Sequence, residues 1–332
     1  MDIIFILTLT IVVLAVVFDF INGFHDTANA IATSVSSKAL RPRQAILLAS
    51  VMNFVGAMTF TGVAKTITKD IVDPFTMDNG NVVIIAALLA AIAWNLITWY
   101  YGIPSSSSHA LIGSIAGAAI AAAGFHALNY AGFLNIIKAL IFSPIIAFAV
   151  GYVVYSIFKV VFKNSNLSKT NKRFRRIQIL TAAFQAYSHG TNDAQKAMGI
   201  ITMALIVNQY QATNEIQPWV QFICALAMAL GTAAGGWKII KTVGAKIMKI
   251  RPVNGVAADL TGAGVILGAT VLHMPVSTTH VISSSILGVG ASHRIKGVKW
   301  GTAKNMLLTW ISTLPASALL AGIFYLILDL FL

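Results

Sequence analysis

The stretch Asn22-Gly-Phe-His-Asp-Thr-Ala-Asn-Ala30 recurs in altered form as His189-Gly-Thr-Asn-Asp-Ala-Gln-Lys-Ala197, at an offset of 167 residues. Gly23/Gly190, Asp26/Asp193 and Ala30/Ala197 are identical across the pair. A second motif, Pro104-Ser-Ser-Ser-Ser-His109, returns as Pro275-Val-Ser-Thr-Thr-His280 at an offset of 171. Behind it, Ser114/Ser285, Ile115/Ile286 and Gly117/Gly288 also match. Two unrelated motifs in the same order and at nearly the same spacing mark a duplicated chain.

Composition places the duplication in a membrane. The chain has 332 residues, 57% hydrophobic and 10% charged, whereas a soluble protein is about one quarter charged. Its mean hydropathy is +0.80. So few charges could not cover a soluble surface, which excludes soluble enzymes, nucleic-acid binders and disordered chains. Cys224 is the sole cysteine, so there is no intrachain disulfide framework and no CxxC-type metal site. A helix crossing a hydrocarbon layer of about 30 Å needs about 20 mostly apolar residues. Suitable runs cover 3–21, 45–63, 82–99, 110–123, 136–158, 219–235, 256–272 and 306–328, with 177–207 and 281–291 apolar but interrupted. The first run lacks the basic flank and cleavage pattern of a signal peptide and is read as a retained helix. The expected fold is an all-α polytopic membrane protein of about ten to twelve spans or half-spans.

The net charge is +13, and 19 of the 23 basic residues fall into four clusters. These are Lys38, Arg41 and Arg43; Lys159, Lys163, Lys169, Lys172, Arg173, Arg175 and Arg176; Lys238, Lys241, Lys246, Lys249 and Arg251; and Arg294, Lys296, Lys299 and Lys304. Each flanks an apolar run, which favours cytoplasmic loops over a nucleic-acid surface. The stretches 64–80, with Asp70, Asp73 and Asp78, and 208–217, with Glu215, are acid-biased and belong outside. After the first Asp motif the next loop is basic; after the second it is acidic. One helix later the signs exchange. The halves are therefore expected to cross the membrane in opposite senses, an architecture of many secondary transporters. The expected division is residues 1–162, a basic cytoplasmic linker at 163–176, and residues 177–332, in the plasma membrane with both termini outside.

The motifs carry two kinds of chemistry. Asp26 and Asp193 are carboxylates within apolar stretches, where a charge is costly unless a cation or proton neutralises it. Around them lie Asn22, Gly23, Thr27 and Asn29 in one copy and Gly190, Thr191 and Asn192 in the other. The glycines would let a helix unwind and free backbone carbonyls, and such oxygens suit small hard cations. The alternative is that each Asp merely caps a half-helix. Asp19, without a counterpart of that quality, could simply cap or pair. The hydroxyl runs, Ser105, Ser106, Ser107 and Ser108 and then Ser277, Thr278 and Thr279, each follow a proline and precede an apolar helix. Hydroxyls and free N–H groups at a helix start favour an oxyanion. One cap needs a single hydroxyl, so four and three point to a cage for a tetrahedral oxyanion built from facing helix ends. His109 and His280 close the runs, either bonding the hydroxyl loops and lining the pathway or serving structure alone. A Ser/His hydrolase is disfavoured, because no strand–elbow–helix context exists.

These motifs resemble the PiT family of inorganic phosphate transporters, over nearly the whole chain and in the same order. The resemblance implies a symporter, not an enzyme, that imports inorganic phosphate with Na⁺ or H⁺, commonly as a homodimer within membrane lipid. It needs no cofactor. It implies phosphate between the hydroxyl loops, with Asp26, Asn29, Asn192 and Asp193 handling the coupling cation, and Asp26 and Asp193 as Na⁺ ligands. Two positions depart from the Asn-Asp-x-x-Asn-Ala form of Na⁺-coupled members. His25 precedes Asp26, and Lys196 stands where an Asn would match Asn29. Both are similar to the bacterial branch, which implies proton coupling and carriage of neutral metal–phosphate complexes. Lys196 would supply a fixed positive charge, and His25 can titrate near neutrality, so the expectation leans to H⁺. Sulfate or another tetrahedral oxyanion is the alternative substrate. Lys196 could instead extend to an interface without a role.

Overall fold

A computed structural model describes residues 2–72, 79–235 and 247–331, without the side chains of Thr27, Ala28, Asn29 and Leu167. Asp73, Asp78, Lys238, Lys241 and Lys246, on which part of the loop-charge pattern rests, lie outside the described residues. Every regular element among the described residues is helical. The first half contains α1 (Ile3–Ser36), α2 (Pro42–Ala57), α3 (Gly62–Asp70), α4 (Gly80–Tyr101), α5 (Ser107–Ala123) and α6 (Tyr130–Val161). The second contains α7 (Leu167–Asp193), α8 (Gln195–Val207), α9 (Pro218–Ala234), α10 (Pro252–Val271), α11 (Thr278–Arg294) and α12 (Trp300–Leu328).

Helices α1, α4, α6, α10 and α12 are long and apolar enough to cross a membrane, and α2 with α3 qualifies as a pair bent by 67°. α5 and α9 are apolar but only 17 residues each. At 1.5 Å per residue they reach about 25 Å, short of a full crossing. The mixture of spans and half-spans therefore follows from helix length alone. Large apolar side chains such as Ile141 and Ile145 on α6 and Ile311 and Leu319 on α12 point outward, as a lipid-facing surface requires.

The helix breaks fall where the hydroxyl motifs dictate. α4 ends at Gly102, whose φ of 66° is left-handed, and Pro104 follows. Ser106 then caps α5, its Oγ accepting from His109 N at 3.1 Å. The second copy repeats the device, with Ser277 Oγ accepting from His280 N at 3.2 Å to cap α11. Pro144 in α6 and Pro315 in α12 are a further pair at the 171-residue offset. The segment expected to be a basic linker is helical from Leu167 onward, started by Asn166, whose Oδ1 accepts from Ser168 N and Lys169 N. Its basic residues from Lys169 onward are thus displayed on a helix rather than a loop.

Packing interlocks the two halves. α5 lies against α12, and α11 against α6; α1 lies against α9, and α2 against α7. Each hydroxyl-led helix is therefore held by the last helix of the opposite half. α1 supplies Ile11, Ala15 and Phe18 to one apolar core and Ala30, Ile31 and Ala32 to a second, so Asp26 sits between them.

Candidate functional site

Asp26 lies in α1 and is 1% exposed. Its Oδ1 is 2.8 Å from His25 Nδ1 and accepts Thr279 Oγ1 at 3.0 Å, while Oδ2 accepts Ser107 Oγ at 2.8 Å. Ser107 opens α5 and Thr279 lies in the first turn of α11. One carboxylate therefore gathers a hydroxyl from each half. Asp193, at the end of α7, accepts Lys196 Nζ at 2.6 Å and Thr278 Oγ1 at 3.1 Å. His189 Nε2 is 3.3 Å from Asp193 Oδ2 without the geometry of a hydrogen bond. The acidic and hydroxyl motifs, separate in sequence, form one buried cluster.

Lys196 is 1% exposed. It does not extend to an interface; it is neutralised within the core by Asp193. His25 Nε2 approaches Thr98 Oγ1 at 3.1 Å and Ser105 Oγ at 3.4 Å, and Ser105 donates to Thr98 at 2.8 Å. Asn192 Nδ2 donates to Thr270 Oγ1 and Met274 O, and its Oδ1 accepts Val276 N, so it fastens the second hydroxyl loop to α7.

Other expected residues stand apart from the carboxylates. Ser106 and Ser277 are spent as helix caps, and Ser108 donates to Val276 O at 2.8 Å, tying one hydroxyl loop to the other. Thr191 Oγ1 donates to Ser188 O at 2.7 Å. Asn22 is buried beside Asp19, and its side-chain polar atoms complete no regular hydrogen bond. The side chains of Thr27 and Asn29 lie outside the described residues. His109 and His280 do not contact the carboxylates through hydrogen bonds. Their rings meet at 4.4 Å, His280 stacks on Trp310 at 4.1 Å, and Trp310 Nε1 donates to Pro104 O at 3.3 Å. The pair clamps the hydroxyl loops together against α12.

Gly23 and Gly190 require a correction. They do not unwind their helices: α1 runs unbroken through Gly23, and α7 continues through Gly190 to Asp193. A methyl on Gly23 would lie 2.5 Å from Met228 O, and one on Gly190 would overlap Asn53 O. Their absent side chains instead allow α1 to approach α9, and α7 to approach α2.

The protein proved richer in buried acids than its duplicated motifs suggest. Asp19, Asp26, Asp193 and Asp259 are all buried, against Lys196 as the one buried Lys or Arg among the described residues. Asp19 lies beside Asn22 but completes no regular hydrogen bond on either carboxylate oxygen, and it is within electrostatic reach of Asp193 and Lys196. Asp259 on α10 accepts Thr33 Oγ1 from α1 at 2.5 Å and Thr181 Oγ1 from α7 at 3.0 Å. Neither Asp259 nor His189 was among the expected site residues. The rule that singles out an acid in an apolar run applies to Asp259 equally, but it has no counterpart in the first half. A ligand-capable atom from each of Asp26, His189 and Asp193 lies within 4.8 Å of the others, close enough to share one cation.

The phosphate transporter family model matches residues 22–171 and again 162–321. The chain belongs to the phosphate transporter family. The two matches meet at 162–171, between the halves. The chain is 76% identical over 331 residues to a probable low-affinity inorganic phosphate transporter of Bacillus subtilis, covering 99% of each. It is 42% identical to a protein of the same description from Rhizobium meliloti, covering 96% of each. A solved structure described as the sodium-dependent phosphate transporter superposes with a TM-score of 0.87, at 26% identity, covering 98% of this chain and 100% of that one. This member of the family thus carries the two hydroxyl-led helix ends and the two motif carboxylates in one cluster.

Proposed function

We propose that the chain is a secondary active symporter that imports inorganic phosphate by alternating access, coupled to protons. The observation that carries this reading is that Asp26 holds Ser107 from one half and Thr279 from the other. The cation-handling group and the anion-binding hydroxyls are therefore mutually bonded. While Asp26 is charged, it both occupies these donors and repels an arriving anion. Protonating it weakens its hold on them, freeing neutral donors for a phosphate oxygen. Anion docking then depends on a proton having bound first, which is the logical requirement of symport. His25 Nδ1 lies against the same carboxylate, 2.8 Å from Asp26 Oδ1. Lys196 provides the Asp193 side with a fixed charge that a mobile cation would otherwise supply. The excess of buried acids over buried ammonium groups supports a cycle in which positive charge enters with the anion.

Alternating access in this proposal uses the duplication: the halves, in opposed orientation, exchange which side of the cluster is open. Both termini and the acid-biased stretches face outward, and the basic groups face the cytoplasm of a plasma-membrane protein. The grouping of Asp26, His189 and Asp193 favours a second reading of the cargo, in which a divalent cation crosses with phosphate as a neutral complex.

Proteoliposome uptake of labelled phosphate separates these readings. An inward proton gradient without Na⁺ is expected to drive accumulation, and D26N, or D193N combined with K196M, to abolish it while the protein still purifies folded. Uptake that needs Na⁺ and ignores a protonophore overturns proton coupling. Uptake that needs Mg²⁺ and carries it stoichiometrically establishes the metal–phosphate cargo. Excess sulfate is expected to leave phosphate uptake unchanged, since HPO₄²⁻ can donate a hydrogen bond to a carboxyl oxygen and sulfate cannot; equal inhibition would make the site a general oxyanion carrier.

A further inference from the structure

A cavity of about 310 Å³ opens where α6, α7, α10 and α11 end near one another, at the basic end of the molecule. Lys159 from α6, Arg251 before α10 and His293 from α11 converge on it, and Asn171 of α7 closes one side. No Asp or Glu is among its described lining residues. Lys159 Nζ donates to Ser292 O at 3.1 Å, which orients the ammonium and leaves further donors available. Tyr155 O–H and His293 Nδ1 are 2.8 Å apart, fixing the imidazole at the wall. Asn254 Oδ1 accepts Arg251 N at 3.2 Å. Its Nδ2, buried beside Tyr155, completes no regular hydrogen bond.

The remaining wall is apolar. Phe158 and Phe162 line the cavity, and both rings pack edge-on against Phe174 of α7. Cationic donors on one wall and aromatic rings on another form an amphiphilic recess at the level where helices leave the hydrocarbon. Basic recesses between helix ends on this side of a membrane suit anionic head groups. None of these residues belongs to the carboxylate and hydroxyl cluster.

We propose that this recess is a second anion site, one that binds a phosphate-bearing anion through Lys159, Arg251 and His293. The anion can come from a phospholipid head group, with its glycerol and first methylenes against Phe158 and Phe162, or from free phosphate on the cytoplasmic side. A ligand there joins α6 of the first half to α10 and α11 of the second, and so stabilises their association.

The test titrates phosphatidylglycerol into the purified full chain held in phosphatidylcholine, and reads the thermal midpoint. A second arm titrates inorganic phosphate into phosphatidylcholine alone. Each basic residue near an anionic surface contributes about 1 kcal/mol, so K159Q/R251Q should need roughly thirtyfold more phosphatidylglycerol for the same shift. K169Q/K172Q, which removes equal charge outside the recess, should match the wild type. Both target side chains are exposed, and single K159Q and R251Q variants keep the test readable if the double variant purifies poorly. Loss confined to the phosphatidylglycerol arm identifies the head group, and loss confined to the phosphate arm identifies free phosphate. Unchanged titrations in both arms, or an equal loss in K169Q/K172Q, overturn the proposal.

Discussion

At the residue scale the decisive contact is Lys196 with Asp193, at 2.6 Å and with both groups essentially inaccessible to solvent. Desolvating two charges is costly, and their attraction repays it only while both are present. Removing the ammonium alone leaves an uncompensated carboxylate, a change that typically costs about 3–5 kcal/mol. K196M should therefore lower the thermal midpoint markedly. D193N/K196M should recover most of the loss, because neither charge then remains, yet it should not restore phosphate accumulation. A midpoint for the double variant as low as that of K196M would show that the lysine acts through something other than this pair. The sequence made Lys196 conspicuous by its departure from its repeat partner. It could not tell whether a four-carbon stem would carry the charge inward or out to the interface.

At the element scale Asp259 joins three helices. It sits on α10 and accepts hydroxyls from α1 and α7, while Ser37, just past the end of α1, donates to Gln178 of α7 at 2.6 Å nearby. D259A would strand two buried hydroxyls, each worth about 1–3 kcal/mol when left unsatisfied. D259N keeps a carbonyl acceptor and should destabilise less in thermal unfolding of the purified protein. Equal effects would mean that charge, rather than hydrogen bonding, holds α10 to α1 and α7. The helix breaks were legible beforehand, because proline, glycine and a capping hydroxyl act locally. The unbroken course of α1 through Gly23 was not: a glycine that unwinds a helix and one that admits a neighbouring backbone look identical in one dimension.

At the scale of the whole molecule, each half completes the other. α5 packs on α12 and α11 on α6, and Asp26 draws donors from both halves. Residues 1–164 expressed alone should therefore fail to accumulate, as should residues 165–332. Co-expression should recover a complex in which a tag on one fragment retrieves the other. Recovery of a stable, monodisperse single half would contradict the interlocked packing. The cut lies ahead of the Asn166 cap, so α7 keeps its start.

The sequence by itself determined the membrane setting, the all-helical class, the duplication and the positions of the hydroxyl-led breaks. Each rests on composition or on a residue's own backbone and capping preferences, which need no partner. Only the tertiary structure decided which hydroxyls reach the carboxylates, that His109 and His280 clamp the loops against Trp310, and that Asp259 bridges α1 and α7. Those outcomes depend on the direction a side chain takes after helices from opposite halves have met. Contacts between residues more than eighty or two hundred positions apart, such as Ser107 or Thr279 with Asp26, leave no trace in local pattern.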